Sequence, residues 1–166
     1  MTVLTRAEAE DFLYLEARLI DEGRLRDWGD MFTEDGIYWL PVEETDEPGK
    51  RVSLIYDDKL RREERIFRAL QTQAPSQDPP SATQHLVCNV TVVDEGSAAR
   101  VFSSQVIYET RGGDADYRQL GLGTQNVFAA RCEHVLKPAG GYWKIALKKM
   151  LLLNRRRAIG NLTFIL

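Results

Sequence analysis

The apolar residues of this chain change their period once. From Thr5 to about Leu70 they recur at helical spacing, and from Thr83 onward they alternate, which is the rhythm of half-buried strands. Helices first and long strands afterwards mean an α+β fold. The length of 166 residues fits one domain spanning 1–166, and a hydrophobic share of 43% provides its core.

In the helical half, Thr5 with Glu8 three residues on forms a capping box that starts a helix. Ala9, Phe12, Leu13, Leu15, Ala17, Leu19 and Ile20 share one face of it, and Glu16 stands in the middle of that apolar arc. Gly23 ends the helix, and Leu25 to Phe32 predicts a short second one. Gly36 to Pro41 reads as an edge strand closed by proline, and Val42 to Arg51 as an acidic loop. Asp57 or Asp58 caps a third helix running to Leu70, with Leu60, Ile66, Phe67 and Leu70 on one flank and Arg61, Arg65 and Arg68 on another. Gln71 to Ser81 is a polar loop.

In the second half, Thr83–Val93, Ala99–Thr110, Tyr117–Leu136 and Gly141–Asn154 predict four long strands. Asp94-Glu95-Gly96, the Arg111 to Asp114 run and Pro138 to Gly141 are hairpin signals between them. Gly121 and Gly123 suggest a bulge that curls the sheet. The expected shape is a cone: a curved antiparallel sheet with the N-terminal helices in its concave face. Strict alternation puts Ile145, Leu147 and Leu151 of the last strand on one side and Ala146, Met150 and Leu152 on the other, so both faces are partly apolar. Three helices cover one face only, so the other calls for a second chain. The apolar tail with Ile159, Leu162, Phe164 and Leu166 should dock on its own sheet or on a neighbour.

A net charge of −3 argues against nucleic acid as a partner. The most apolar stretch, Ile145 to Leu153, is interrupted by Lys148 and Lys149 and is shorter than the roughly 20 residues of a membrane span. Met1 to Glu8 has neither a basic lead-in nor an apolar core, so the expected location is cytoplasmic. Cys88 and Cys132 are expected as free, mostly buried thiols. Gly121-Leu122-Gly123 is half a phosphate loop in the wrong context, and the chain lacks a Gly-x-Ser-x-Gly elbow.

His85 and His134 are the only histidines. Cys132-Glu133-His134 is half of a Rieske iron–sulfur pattern, but no second Cys and His follow to complete it. For acid–base work the candidates are Glu16, Asp35 and His85, with Tyr14 on the polar flank a lesser one. A carboxylate on an apolar helix face is either paired or raised in pKa. Pairing with an arginine, including those of the third helix, is the expectation for Glu16. The Arg61, Arg65, Arg68 stripe and Arg155-Arg156-Arg157 are candidates for docking an acidic surface.

Phe12 to Asp21, then Trp28 through Asp35-Gly36-Ile37-Tyr38-Trp39-Leu40-Pro41, then Ile55-Tyr56-Asp57-Asp58 with Leu60 and Arg61, closely resemble the small (β) subunit of aromatic-ring-hydroxylating dioxygenases. Thr83 to Val90 looks like that family's first long strand, and Lys144 to Asn154 like its last. The resemblance implies a cone fold like that of ketosteroid isomerases and scytalone dehydratases. It implies assembly with a large (α) subunit and other copies of this chain, three plus three. The large subunit would carry the Rieske cluster and the mononuclear non-haem iron, receive electrons from a ferredoxin or reductase, and dihydroxylate an aromatic compound whose choice rests mainly with it. It implies no catalytic, cofactor-binding or metal-ligating residue on this chain, whose role would be to hold the catalytic subunits together. The alternative is a stand-alone isomerase, dehydratase or cyclase of the same fold using Glu16, Asp35 or His85, and a small-ligand carrier is a third reading.

Overall fold

A computed structural model describes residues 3–71, 80–111, 125–160 and 162–166. The chain order is α1 (Arg6–Asp21), α2 (Leu25–Asp30), β1 (Phe32–Pro41), β2 (Ser53–Asp57), α3 (Lys59–Gln71), β3 (Ala82–Asp94), β4 (Ala99–Thr110), β5 (Gln125–Ala139) and β6 (Tyr142–Leu152). Among the described residues one six-stranded sheet runs in the order β2-β1-β6-β5-β4-β3. Its concave face holds α1 and the closing segment, with one apolar core that includes Leu13, Trp28, Tyr38, Ile107, Phe128, Met150 and Leu166.

Local chemistry explains the elements. Thr5 Oγ1 accepts from Glu8 N–H and Glu8 Oε2 accepts from Thr5 N–H, the reciprocal capping box that starts α1. Gly23, at φ +70°, follows the end of α1 in the left-handed conformation that favours glycine. Asp58 Oδ1 accepts from Arg61 N–H at 3.0 Å and caps α3. Gly140 and Gly141, both at positive φ, make the two-residue turn between β5 and β6.

The structure corrects the sequence reading in several places. The second helix stops at Asp30, and Phe32 begins β1. β1 is an inner strand: it pairs antiparallel with β2 and parallel with β6, so the sheet is antiparallel except at that one pair. The edges are β2, a five-residue strand the sequence reading placed in no element, and β3. Pro41 still ends its strand, which is where a missing N–H costs least. The bulge expected at Gly121 and Gly123 lies outside the described residues. Among the described residues the register shifts along β1, between Phe32 and Ile37 and between Leu40 and Pro41; the β3–β4 register shifts between Cys88 and Thr91, where Asn89 sits at φ +56°; and β6 carries an extra residue, Ala146, against β5, where Val135 pairs with Leu147 and Leu136 with Ile145. No described helix is long and apolar enough to cross a membrane.

Candidate functional site

The extra residue in β6 decides what the cone contains. An extra residue reverses the in–out alternation beyond it, so Ile145 faces inward before the bulge while Lys148, Met150 and Leu152 do so after it; all four are buried. Glu16 comes to the same place from α1. Glu16, His134 and Lys148 are 1%, 0% and 1% exposed. Glu16 Oε1 lies 2.9 Å from Lys148 Nζ and accepts from Trp28 Nε1 at 3.1 Å. Its Oε2 lies 3.0 Å from His134 Nε2, which must carry the proton because a carboxylate only accepts. Burial pushes the Glu16 carboxyl up, but Lys148 and His134 outweigh it and hold the group well below the usual carboxylate range. Pairing was expected; the partners are a lysine and a histidine instead of an arginine.

A carboxylate so held is a fixed negative charge. A general base working near neutrality needs a pKa close to the ambient pH and a face open to substrate, and Glu16 has neither. Lys148 is equally engaged, since its Nζ also donates to the Leu166 carbonyl oxygen at 2.8 Å. Tyr38 lies beside it with its ring centroid 5.5 Å from Nζ, and burial raises the Tyr38 hydroxyl pKa.

The other candidates do not converge on this cluster. His85 is buried on β3 and belongs to Asp21 at the end of α1: Asp21 accepts from His85 N–H at 2.9 Å, from Nδ1 at 2.6 Å and from Thr83 Oγ1 at 2.8 Å. Burial pushes the Asp21 pKa up, and the bonds from His85 more than reverse it. These donors offset the unfavourable placing of a carboxylate at a helix C-terminus and tie edge strand β3 to α1. The Asp35 side chain is 75% exposed, bonded to Thr33 Oγ1 at 2.7 Å and 3.7 Å from Lys137. Tyr14 is exposed.

Metal donors are similarly scattered. Cys132 and His134 face inward, Glu133 between them faces out to Arg100, and burial raises the Cys132 thiol to about 12. Cys88 is exposed, against the expectation for it. Among the described residues no three His, Cys, Asp or Glu side chains group as a metal site. These donors do not fit a Rieske cluster or a two-histidine, one-carboxylate iron site.

The outer surface carries more unpartnered apolar area. Cross-strand pairing sets Leu86, Val106 and Ala129 side by side on β3, β4 and β5, with Leu153 next to Ala129, and Leu86, Phe102, Tyr108, Val127 and Leu153 are exposed. Leu60, Phe67 and Leu70 of α3 are also exposed. Beside them a cleft of about 460 Å³ opens between α2, α3 and β1, with Arg26, Phe32, Arg62, Phe67 and Lys144 among its lining residues. The expected basic docking stripes are largely spent within the chain. Arg65 bonds Asp57, Arg61 bonds the Tyr56 carbonyl and Arg68 the Glu64 carbonyl. Arg155 bonds the Val42 carbonyl and Arg156 bonds Glu43. Lys148, His134, Trp28 and Tyr38 were missed as members of the buried network, and only the anomalous Glu16 pointed to it.

The family model described as "Ring hydroxylating beta subunit" matches residues 15–157. The small oxygenase component of the p-cumate 2,3-dioxygenase system of Pseudomonas putida is 31% identical over 98% of this chain and 88% of its own length. The crystal structure of the beta subunit of benzoate 1,2-dioxygenase from Burkholderia mallei superposes with a TM-score of 0.76 at 23% identity, covering 99% of this chain and 100% of the other. An NTF2-like protein with a cystatin-like fold from Novosphingobium aromaticivorans superposes at 0.62 with 16% identity, over 90% and 82% of the two chains. The fold is therefore the NTF2-like, cystatin-like cone.

Proposed function

The chain belongs to the ring-hydroxylating beta-subunit family, and from that premise we propose that it is the non-catalytic small subunit of an aromatic-ring-hydroxylating dioxygenase. The large subunit carries the Rieske cluster and the mononuclear iron, takes electrons from a ferredoxin or reductase, and dihydroxylates the aromatic substrate. Three copies of each chain assemble, and the small subunits hold the large ones so that one cluster lies near the next subunit's iron.

The observation that carries the non-catalytic part is the state of the interior. The carboxylate that α1 brings in, Glu16, is engaged by Lys148, His134 and Trp28, and buried Glu109 by Arg111 and Asn126, so both stand as neutralised groups in place of a poised acid or base. Exposed apolar rows on the sheet and on α3 supply area of the kind that interface cores use.

Co-expression with the neighbouring gene product tests the reading. The chain should purify in equal amounts with a larger one bearing Cys-x-His and Cys-x-x-His, and iron and oxygen consumption should follow the pair. Stoichiometric iron on the isolated small chain, or oxygen-consuming turnover by it alone, overturns the proposal.

A further inference from the structure

The segment Phe164–Leu166 lies inside the cone and is gripped as a ligand is gripped. Leu166 N–H donates to Tyr38 Oη at 3.2 Å, Tyr38 Oη donates to the Leu166 carbonyl oxygen at 3.3 Å, and Lys148 Nζ donates to the same oxygen at 2.8 Å. All three contacts are to main-chain groups, so the polar side of the site reads an amide N–H and a carbonyl and not a leucine as such. Tyr38 and Lys148 are both buried, and Glu16 supplies the counter-charge that an interior ammonium requires. Phe164 meets Phe128 with ring centroids 5.5 Å apart, in one core cluster with Ile107, Met150 and Leu152.

We infer that the cone interior is a binding site for an N-acylated apolar amino acid, occupied in this chain by its own residues 164–166. Tyr38 takes the amide N–H, Lys148 and Tyr38 take the carbonyl or carboxylate, and the wall around Phe128 takes the side chain. The stretch leading in, residues 158–160, is neither helix nor strand, so the segment can withdraw without unpairing the sheet. Withdrawal leaves Lys148 with Glu16 but strips Tyr38 of both bonds, and a ligand with the same two groups restores them. The site stands whether or not the chain is an oxygenase subunit.

Two experiments on the 166-residue chain decide it. The triple variant Phe164→Gly, Ile165→Gly, Leu166→Gly empties the site without shortening the chain. Isothermal titration with N-acetyl-leucine and N-acetyl-phenylalanine should show saturable one-to-one binding that the unsubstituted chain lacks, and adding Tyr38→Phe should weaken it at least fivefold. Absence of binding by a variant with native circular dichroism, or binding indifferent to Tyr38→Phe, overturns the inference. Should the triple variant lose its native circular dichroism, thiol labelling of the Ile165→Cys chain decides instead, with buried Cys132 as the internal reference. The introduced thiol should react under native conditions well before Cys132; joint reaction of the two, only on global unfolding, means that the segment is fixed core and no site exists.

Discussion

Glu16 and Lys148 meet at 2.9 Å inside the cone, one from the middle of α1 and the other from β6. Each is 1% exposed. A buried pair is weak evidence of net stabilisation, because both ions lose their hydration, but removing one partner strands the other. The pair therefore ties α1 to β6 in a way that single and double substitutions separate.

Glu16→Gln should lower the unfolding free energy by about 3–5 kcal/mol, the usual cost of leaving a buried charge alone. Glu16→Leu combined with Lys148→Met should recover only part of that loss, because the buried Trp28 Nε1 and His134 Nε2 then lack their acceptor. Urea unfolding followed by circular dichroism measures both. A single-variant loss under about 1 kcal/mol, the scale of exposed pairs, would show that water reaches the pair.

Acid should unfold the chain partly through the same carboxylate. The Glu16 pKa is depressed in the folded state, so its contribution is complete above the ordinary glutamate value of 4.5 and falls as the pH drops below it toward the folded value. Stability measured from pH 7 down to pH 3 should therefore decline below pH 4.5, and more shallowly in Glu16→Gln. Equal slopes in the two chains would assign the acid transition to other carboxylates.

The sequence made α1 and its odd carboxylate legible because both are local: a capping box and a period of 3.6 fix where Glu16 points. The strands β3, β4 and the turn at Gly140-Gly141 were legible for the same reason. Lys148 was not. Strict alternation sends it outward, and only the extra residue at Ala146, set by pairing with β5, brings it in. The parallel pairing of β1 with β6 is also non-local, and β2, five residues between an acidic loop and a helix cap, is too short for a period to show. The docking of Phe164–Leu166 was foreseen as an alternative, since an apolar tail must go somewhere, but its grip by Tyr38 depends on residues 128 positions away in the chain.

Gly36 should tolerate no side chain. A Cβ there would stand 2.5 Å from the Ile145 carbonyl oxygen and 3.0 Å from that of Thr33, where β1 runs against β6. Gly36→Ala should cost about 1–3 kcal/mol through forced backbone shifts, read as a lowered midpoint in thermal unfolding. An unchanged midpoint would mean that the two strands separate at little cost.

Asn89, at φ +56° in the β3 bulge, should accept glycine and reject a branched residue. Asn89→Gly should be within about 0.5 kcal/mol of the parent, and Asn89→Val should lose about 1–3 kcal/mol because the left-handed region strains a β-branched side chain. Paired urea titrations compare them. Equal stability of the two variants would place the residue outside that conformation.

By standing one residue out of step at Ala146, β6 offers two consecutive lysines and lets geometry choose which becomes an interior ion. Lys148 goes in, and Lys149 lies over the Trp39 ring on the other side. Losing that kink would shift every later residue of β6 by one and exchange what faces inward, without altering a single letter of composition. Two chains that look alike residue for residue can thus differ in the electrical character of their inner wall, and inheritance of the kink matters as much as inheritance of the lysine.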